Sequence, residues 1–288
     1  MQRDIIHTGD ARDMREVESG SVQLIVTSPP YNVGKPYDGY RDSRELTDYL
    51  GFLNEVWQEC QRVLCPGGRI AVNVANTYRQ PYLPLHAYIV QQFQRLGFLM
   101  RGEIIWDKGA SAGVSTAWGS FARASNPTLR DVHEYILVFS KEAMKLEATS
   151  GVGSGIVNQE FVDWTRSIWR FETESRLAAG SRTGRRHNHP APFPVELPRR
   201  LILLYTNRGD MVLDPFMGAG STAVAAAREG RHYLGYDISP EYCAMARERI
   251  RTEPTAASLR HVEPVLQPML STPEPSAETP QRSVQAAS

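Results

Sequence analysis

The chain predicts an α/β fold built on a mostly parallel sheet with helices on both faces. Short, continuous apolar runs rich in β-branched residues recur along it, as strands buried on both faces require. Between them lie longer segments with apolar residues at helical spacing, the alternation that βαβ units produce. The length, 288 residues, suits one large α/β domain or one such domain with a small insert.

In chain order, Ser21–Val26 reads as a buried strand that ends at Ser28-Pro29-Pro30. Residues 46–64 carry helical apolar spacing and stop at Cys65-Pro66-Gly67-Gly68. Arg69–Val74 is a second strand, 84–96 a helix, Phe98–Trp106 a third strand and Glu134–Phe139 a fourth. Met211–Asp214 and His232–Asp237 close the series, with a helix between them at about 220–229. Residues 107–190 break this rhythm with Gly/Ser stretches (Lys108–Gly113, Ser150–Gly155), scattered Trp and Arg runs. They read as an insert of loops and small elements, which suits a recognition surface and equally a mobile lid. Residues 253–288 hold six prolines and little apolar periodicity. Such a segment cannot bury enough surface to offset its ordering entropy, so a disordered tail is expected.

Apolar residues at 41% and aromatics at 9% are ordinary for a globular protein. The balance of 32 basic and 32 acidic residues excludes a uniformly basic binder and leaves room for a local basic groove. Of the basic residues 28 are Arg, which suits forked contacts to phosphates and guanine edges, although a genomic coding bias produces the same excess. Three widely spaced cysteines (Cys60, Cys65, Cys243) make neither a disulfide framework nor a zinc site. The charged start, MQRDIIHTGD, lacks a signal-peptide core, and no apolar run reaches the ~20 residues that span a bilayer. A soluble, cytoplasmic protein with no membrane partner is expected.

Two motifs carry chemistry. Asp214-Pro-Phe-Met-Gly218-Ala-Gly220-Ser-Thr222-Ala223 follows a strand and opens a helix. Its glycines allow a tight turn and close approach to a ligand, and the helix N-terminus offers N–H groups. Asp237 ends the next strand, 17 residues after Gly220, about where a nucleotide fold places a ribose-binding carboxylate. The glycine spacing also fits a dinucleotide fingerprint, so a nicotinamide-dependent enzyme is one reading. A P-loop is not, because no Gly-Lys-Ser/Thr follows. Asp237 has a second reading too: with Ser239 as cap and Pro240 in the first turn, it can simply favour a helix N-terminus.

The other motif is Thr27-Ser28-Pro29-Pro30-Tyr31-Asn32, directly after a buried strand. Two prolines stiffen the backbone and remove two N–H donors. The turn is left with outward carbonyls, a hydroxyl and an aromatic ring, which suit a planar heterocycle bearing an exocyclic amine. Ser28 Oγ and the Pro29 carbonyl can each accept one amine hydrogen while Tyr31 stacks on the ring. Accepting both hydrogens draws the nitrogen lone pair out of conjugation and makes it more nucleophilic. An ordinary Pro-rich turn with a packed Tyr is the competing reading.

Ser28–Tyr31 together with Asp214–Thr222 resembles the DNA amino-methyltransferases, which methylate cytosine-N4 or adenine-N6 with S-adenosylmethionine. The likeness spans about residues 4–251 and includes Gly9-Asp10, Arg62–Gly68, Ile105–Lys108, His133–Phe139 and His189–Pro194. The catalytic turn precedes the glycine loop, an order similar to the circularly permuted β group. The resemblance implies a Rossmann-like methyltransferase fold with a seven-stranded, mostly parallel sheet. Residues 1–106 would form its catalytic half, 107–190 a target-recognition insert with a core strand near 134–139, 191–252 the donor-binding half and 253–288 a tail. It implies that Ser28, Pro29, Pro30 and Tyr31 are catalytic. It further implies that Asp214, Phe216, Gly218, Gly220, Ser221 and Thr222 form the loop holding the methyl donor, with Phe216 packed on it. Asp237 would bind the ribose hydroxyls, Pro194 line the methionine end and Asp10 contact the adenine edge. The nicotinamide reading leaves the Pro-Pro-Tyr turn without a role.

Double-stranded DNA is then the expected substrate, with the target base flipped into the pocket. No metal is needed, and His187-Asn-His189 lacks the further Cys or acid ligands of a metal site. A covalent cytosine-C5 route would need an activated Cys, and none lies beside a proline–cysteine turn. In this family Ser before Pro-Pro-Tyr usually accompanies cytosine and Asp adenine, so cytosine-N4 is favoured and adenine-N6 stays an alternative. An inactive SAM- and DNA-binding protein and an RNA or protein methyltransferase are rival readings. Between 165 and 200, eight Arg (166, 170, 176, 182, 185, 186, 199, 200) face three acids, which with Trp164 and Trp169 suits contacts to phosphates and bases. A cognate restriction endonuclease and a homodimer are the further partners considered.

Overall fold

The computed structural model describes residues 2–32, 36–37, 40–41, 44–77, 81–109, 120, 122–127, 129, 131–147, 152–173 and 193–252. The expected tail, most of Lys108–Gly113, Ser150 and Gly151 of the second Gly/Ser stretch, His187, His189 and Arg176, Arg182, Arg185 and Arg186 lie outside the described residues. The first half holds β1 (Ile5–Thr8), β2 (Val22–Thr27), the short β3 (Pro36–Tyr37) and β4 (Tyr40–Arg41), α1 (Leu46–Val63), β5 (Leu64–Val74), α2 (Leu85–Arg95), β6 (Leu99–Asp107) and β7 (His133–Ser140). Then follow α3 (Asn158–Trp164), β8 (Ile168–Arg170), α4 (Glu196–Tyr205), β9 (Met211–Asp214), α5 (Ser221–Arg228), β10 (His232–Asp237) and α6 (Pro240–Thr252). Among these residues no helix is long and apolar enough to cross a membrane.

One sheet runs β1-β10-β9-β2-β5-β7-β6-β8, parallel from β1 to β5, with β7 antiparallel to both its neighbours and β8 parallel to β6. The expected α/β class with a mostly parallel sheet is the observed one. The sheet has one strand more than seven: β8, three residues long, pairs Trp169 with Trp106 at the edge. Neither β8 nor β1 is readable as a strand, since three or four residues with one buried side chain carry no periodicity. β1 also comes from the first ten residues yet pairs with β10, so the chain halves interleave in space.

The strand periodicity explains the two covered faces. In β2, Ile25 joins a core with α1 and α2, whose Leu53, Val56, Trp57, Ile89 and Phe93 are fully buried. Val22 joins the same core because the pairing register shifts between Val22 and Leu24. Leu24 and Val26 face the opposite core, built with Leu197, Leu201 and Ile202 of α4 and Ala225 and Ala226 of α5. Helix α1 ends as expected, but β5 starts at once with Leu64 and runs through Cys65-Pro66-Gly67-Gly68. Gly67 has φ of 72°, and a Cβ there would sit 2.1 Å from the Lys145 carbonyl oxygen, so the glycine allows this close pass.

The strand order reverses between β9 and β2: the chain leaves β2 toward β5 and leaves β9 toward β10. In such sheets the crevice outside the carboxyl ends at this switch point is the ligand-binding position. The loops after β1, β2, β5, β9 and β10 share that edge. Antiparallel β7 begins there, and β6 ends there, with Trp106 opposite Glu134.

Candidate active site

The two motifs, 187 residues apart, meet through one side-chain bond. Thr27 Oγ1 at the end of β2 donates to Asp214 Oδ1 at the end of β9, at 2.7 Å. Thr222 Oγ1 in the first turn of α5 donates to Asp214 Oδ2 at 2.8 Å, and the Phe216 N–H donates to Oδ1 at 3.0 Å. Asp214 is fully buried. Burial raises its pKa to about 6, against the lowering effect of the two hydroxyls and the N–H, with Asp237 adding to the rise.

This sets the sign of a pH effect. The folded state holds the proton more tightly than the unfolded chain, so the charged form is disfavoured and Asp214's contribution falls as pH rises from about 4 to about 6. The gap between 3.8 and about 6 corresponds to about 3 kcal/mol. Asp214→Asn should abolish that titration. The difference in Tm between wild type and variant should therefore shift in favour of wild type as pH falls from 7 to 5. A difference constant with pH would refute the assignment.

The glycine loop is held from several sides. Gly218 and Gly220 both have positive φ, and a Cβ on Gly220 would lie 2.8 Å from Ala246 Cβ of α6. The Met217 N–H donates to the Tyr236 carbonyl at 2.8 Å. Asp237 accepts the Gly218 N–H on one carboxylate oxygen and the Ser239 N–H on the other, each at 2.9 Å. It therefore pins the loop and begins the turn into α6, where Ser239 Oγ accepts the Tyr242 N–H at 3.3 Å. Ser221 and Thr222 are buried, and Ser221 Oγ donates to the Phe193 carbonyl at 2.8 Å, which sets buried Pro194 beside the loop. Asp214, Ser221 and Thr222 thus shape the loop through inward-facing side chains. Phe216 is half-buried, its ring 6.0 Å from Phe52 and 6.3 Å from Trp57.

Asp10 reaches the same edge because the Gly9 N–H donates to the Asp237 carbonyl at 2.9 Å. Its carboxylate is gripped by both the main chain and the guanidinium of Arg12. Partial burial would raise its pKa, and the Arg12 bonds outweigh this and hold it below the ordinary carboxylate range.

On the other side of the switch point, Ser28 and Tyr31 are half-buried and Pro29 is buried. Tyr49 Oη donates to the Pro30 carbonyl at 2.7 Å and anchors the turn to α1. Ser28 Oγ lies 2.9 Å from Tyr31 Oη, and Tyr31 Oη donates to Glu134 Oε2 at 3.1 Å. Asn73 Nδ2 donates to Glu134 Oε2 at 2.6 Å and to Tyr31 Oη at 3.2 Å. Lys108 Nζ pairs with Glu134 Oε1 at 2.7 Å. Asn73, Lys108 and Glu134 are residues the sequence reading left without roles. The quoted stretches Ile105–Lys108 and His133–Phe139 contain two of them, but only the sheet order brings them to Tyr31.

The Arg and Trp reading needs correction among the described residues. Trp164 and Trp169 are 8% and 1% exposed and belong to the core. Arg199 pairs with Glu160 at 2.8 Å and Glu229 at 2.9 Å; Arg200 pairs with Glu196 at 2.8 Å and lies over the Trp164, Trp169 and Phe171 rings. Arg170 binds Asp107 at 2.9 Å. Arg199 and Arg200 thus brace α3 and α4, while the Arg166 and Arg170 side chains stay 70% and 80% exposed. Among the described residues no group of three or more His, Cys, Asp or Glu could hold a metal. Burial raises the thiol pKa of Cys60, Cys65 and Cys243, opposite to what a thiolate nucleophile needs.

Comparison with known proteins gives this architecture its relatives. Residues 22–248 match the N6/N4 methyltransferase family model, described as DNA methylase. The type II methyltransferase M.MjaI of Methanocaldococcus jannaschii is 30% identical over 282 residues, covering 84% of this chain and 89% of the relative. The DNA adenine methyltransferase YhdJ of Escherichia coli K12 is 30% identical over 258 residues, covering 85% and 82%. Among solved structures, TTHA0409 of Thermus thermophilus in complex with S-adenosyl-L-methionine is 33% identical, covers 85% of this chain and 93% of its own, and has a TM-score of 0.64. The PvuII cytosine-N4-specific DNA methyltransferase shares the fold at 20% identity and a TM-score of 0.67, covering 88% of each chain. The match over most of the chain, and not the glycine loop alone, sets the nicotinamide reading aside: the chain belongs to the N6/N4 DNA methylase family.

Proposed function

We propose that the chain transfers a methyl group from S-adenosylmethionine to the exocyclic amine of a base flipped out of double-stranded DNA, with cytosine-N4 the preferred target. The observation that carries this is the Thr27–Asp214 bond, which joins the amine-binding turn to the glycine loop across the switch point. The donor fits the residues present. Gly218 and Gly220 bend the loop, Phe216 offers a half-buried aromatic surface beside it, and the Asp237 carboxylate stands next to it. A carboxylate has about four acceptor positions, so ribose hydroxyls can join its N–H bonds. A relative one-third identical binds the same molecule.

When bound, S-adenosylmethionine supplies an electrophilic methyl group on a sulfonium sulfur. The chain's part is positioning. Ser28 Oγ and the Pro29 carbonyl accept the two amine hydrogens, and the Tyr31 ring stacks on the flipped base. Opening the base pair costs a few kcal/mol, offset by those contacts. Holding both reactants in line then supplies much of the acceleration. The two fixed proline φ angles of the turn make that geometry stiff.

Ser28 at the head of the turn favours cytosine. The similarity to the adenine enzyme YhdJ supports adenine-N6 as the second reading. Similarity to type II methyltransferases supports a place beside a cognate restriction endonuclease. Residues 107–190 are the proposed recognition segment. The test is transfer of labelled methyl groups to unmethylated plasmid DNA, followed by long-read sequencing to identify base and site. Label in DNA at one sequence is expected; no incorporation, or label in RNA or protein instead, would end the proposal.

A further inference from the structure

We infer that Glu134 is a positioning residue that fixes Ser28 as a hydrogen-bond acceptor, and so selects an amine over a carbonyl at the target position. This rests on the reading of the Ser28 turn as the amine site. The argument is one of hydrogen-bond direction. A carboxylate accepts and does not donate, so the Tyr31 hydroxyl hydrogen points to Glu134 Oε2. Tyr31 Oη can then only accept from Ser28, 2.9 Å away, as it does from Asn73 Nδ2 at 3.2 Å. The one hydrogen of Ser28 is thereby committed to Tyr31, and its lone pairs are left for a donor arriving from the crevice. Cytosine and adenine present two N–H hydrogens there. Thymine and guanine present a carbonyl oxygen in the corresponding place, which an accepting Ser28 repels.

The direction is enforced from behind. Lys108 Nζ and Asn73 Nδ2 are both donors and both point at Glu134, which keeps its two oxygens in the accepting role. Lys108 and Glu134 side chains are 19% and 13% exposed, so water competes little for these bonds. In Glu134→Gln, the Lys108 ammonium attracts the amide oxygen and turns the amide NH2 toward Tyr31. The chain of hydrogen bonds then loses its fixed direction, and Ser28 can present its hydrogen to the crevice. The shape of the site is unchanged.

The experiment is a double-mutant cycle of Glu134→Gln and Tyr31→Phe in the full-length protein, read as methyl transfer to unmethylated plasmid DNA and as the Kd for S-adenosylmethionine. Losing one directed bond to the amine should lower turnover roughly 30-fold in Glu134→Gln. Tyr31→Phe, which keeps the ring and cuts the chain, should lower it by a similar factor. The double variant should be no worse than about twofold below either single one, because both break the same path. The Kd should stay within twofold of wild type. Multiplying losses, or turnover of Glu134→Gln within threefold of wild type, would overturn the inference. If Glu134→Gln does not fold, Tyr31→Phe alone decides: turnover within threefold of wild type overturns it. A wild-type protein without transfer would instead defeat the reading of the site itself.

Discussion

Tyr31→Ala is expected to lower methyl transfer by about 10²–10³-fold while the Kd for S-adenosylmethionine moves less than twofold. Base–aromatic stacking contributes about 1–3 kcal/mol, and that contact is lost with the ring. The hydroxyl is lost too, and with it the link between Ser28 and Glu134. The two losses act on the flipped base together, so the effect should exceed that of Tyr31→Phe. The glycine loop is untouched, since its supports are Asp214, Asp237 and the Tyr236 carbonyl. Single-turnover transfer and equilibrium binding of the donor separate these outcomes. Turnover close to wild type would remove Tyr31 from the stacking role.

Asp237→Ala should act on the opposite side of the crevice. We expect the Kd for S-adenosylmethionine to rise about 100-fold, the equivalent of roughly 3 kcal/mol, with a lowered Tm. Two backbone N–H groups, those of Gly218 and Ser239, lose their acceptor at once. Leaving donors unsatisfied in a half-buried site costs about 1–3 kcal/mol each. The affinity term has a second source in the lost ribose contact. Asp237→Asn divides the two: an amide oxygen can keep one N–H bond, so Tm should recover more than affinity. A lowered Tm with unchanged affinity would assign Asp237 to loop support and helix capping only. Both expectations concern groups at the same edge of the parallel sheet, and their independence is itself informative. Tyr31 should govern turnover and Asp237 binding.

Much of this molecule is readable from its residues in order. Alternating cores along β2 and the spacing of Tyr49, Leu53, Val56, Trp57 and Cys60 on α1 are local patterns, and both became buried faces. The glycine loop and the diproline turn announce themselves because backbone constraints belong to single residues: Gly admits positive φ, and Pro removes an N–H. Periodicity cannot reveal β1 or β8, each too short to show a repeat. Trp164, Trp169, Arg199 and Arg200 read as an outward recognition surface and instead form a braced core edge. An arginine's sequence neighbours do not show whether acids from distant helices meet it.

The residues in order determined the class of fold and the identity of the two motifs, because these depend on short-range sterics and on the alternation of apolar side chains. Tertiary structure alone decided that Thr27 meets Asp214, and that Asn73, Lys108 and Glu134 gather behind Tyr31. Those contacts follow from strand order. A reversal between β9 and β2, and an antiparallel β7 beside β5, bring distant chain ends to one edge of the sheet. Strand order is set by the burial of the whole sheet between its helices, a sum over many residues that no single motif encodes.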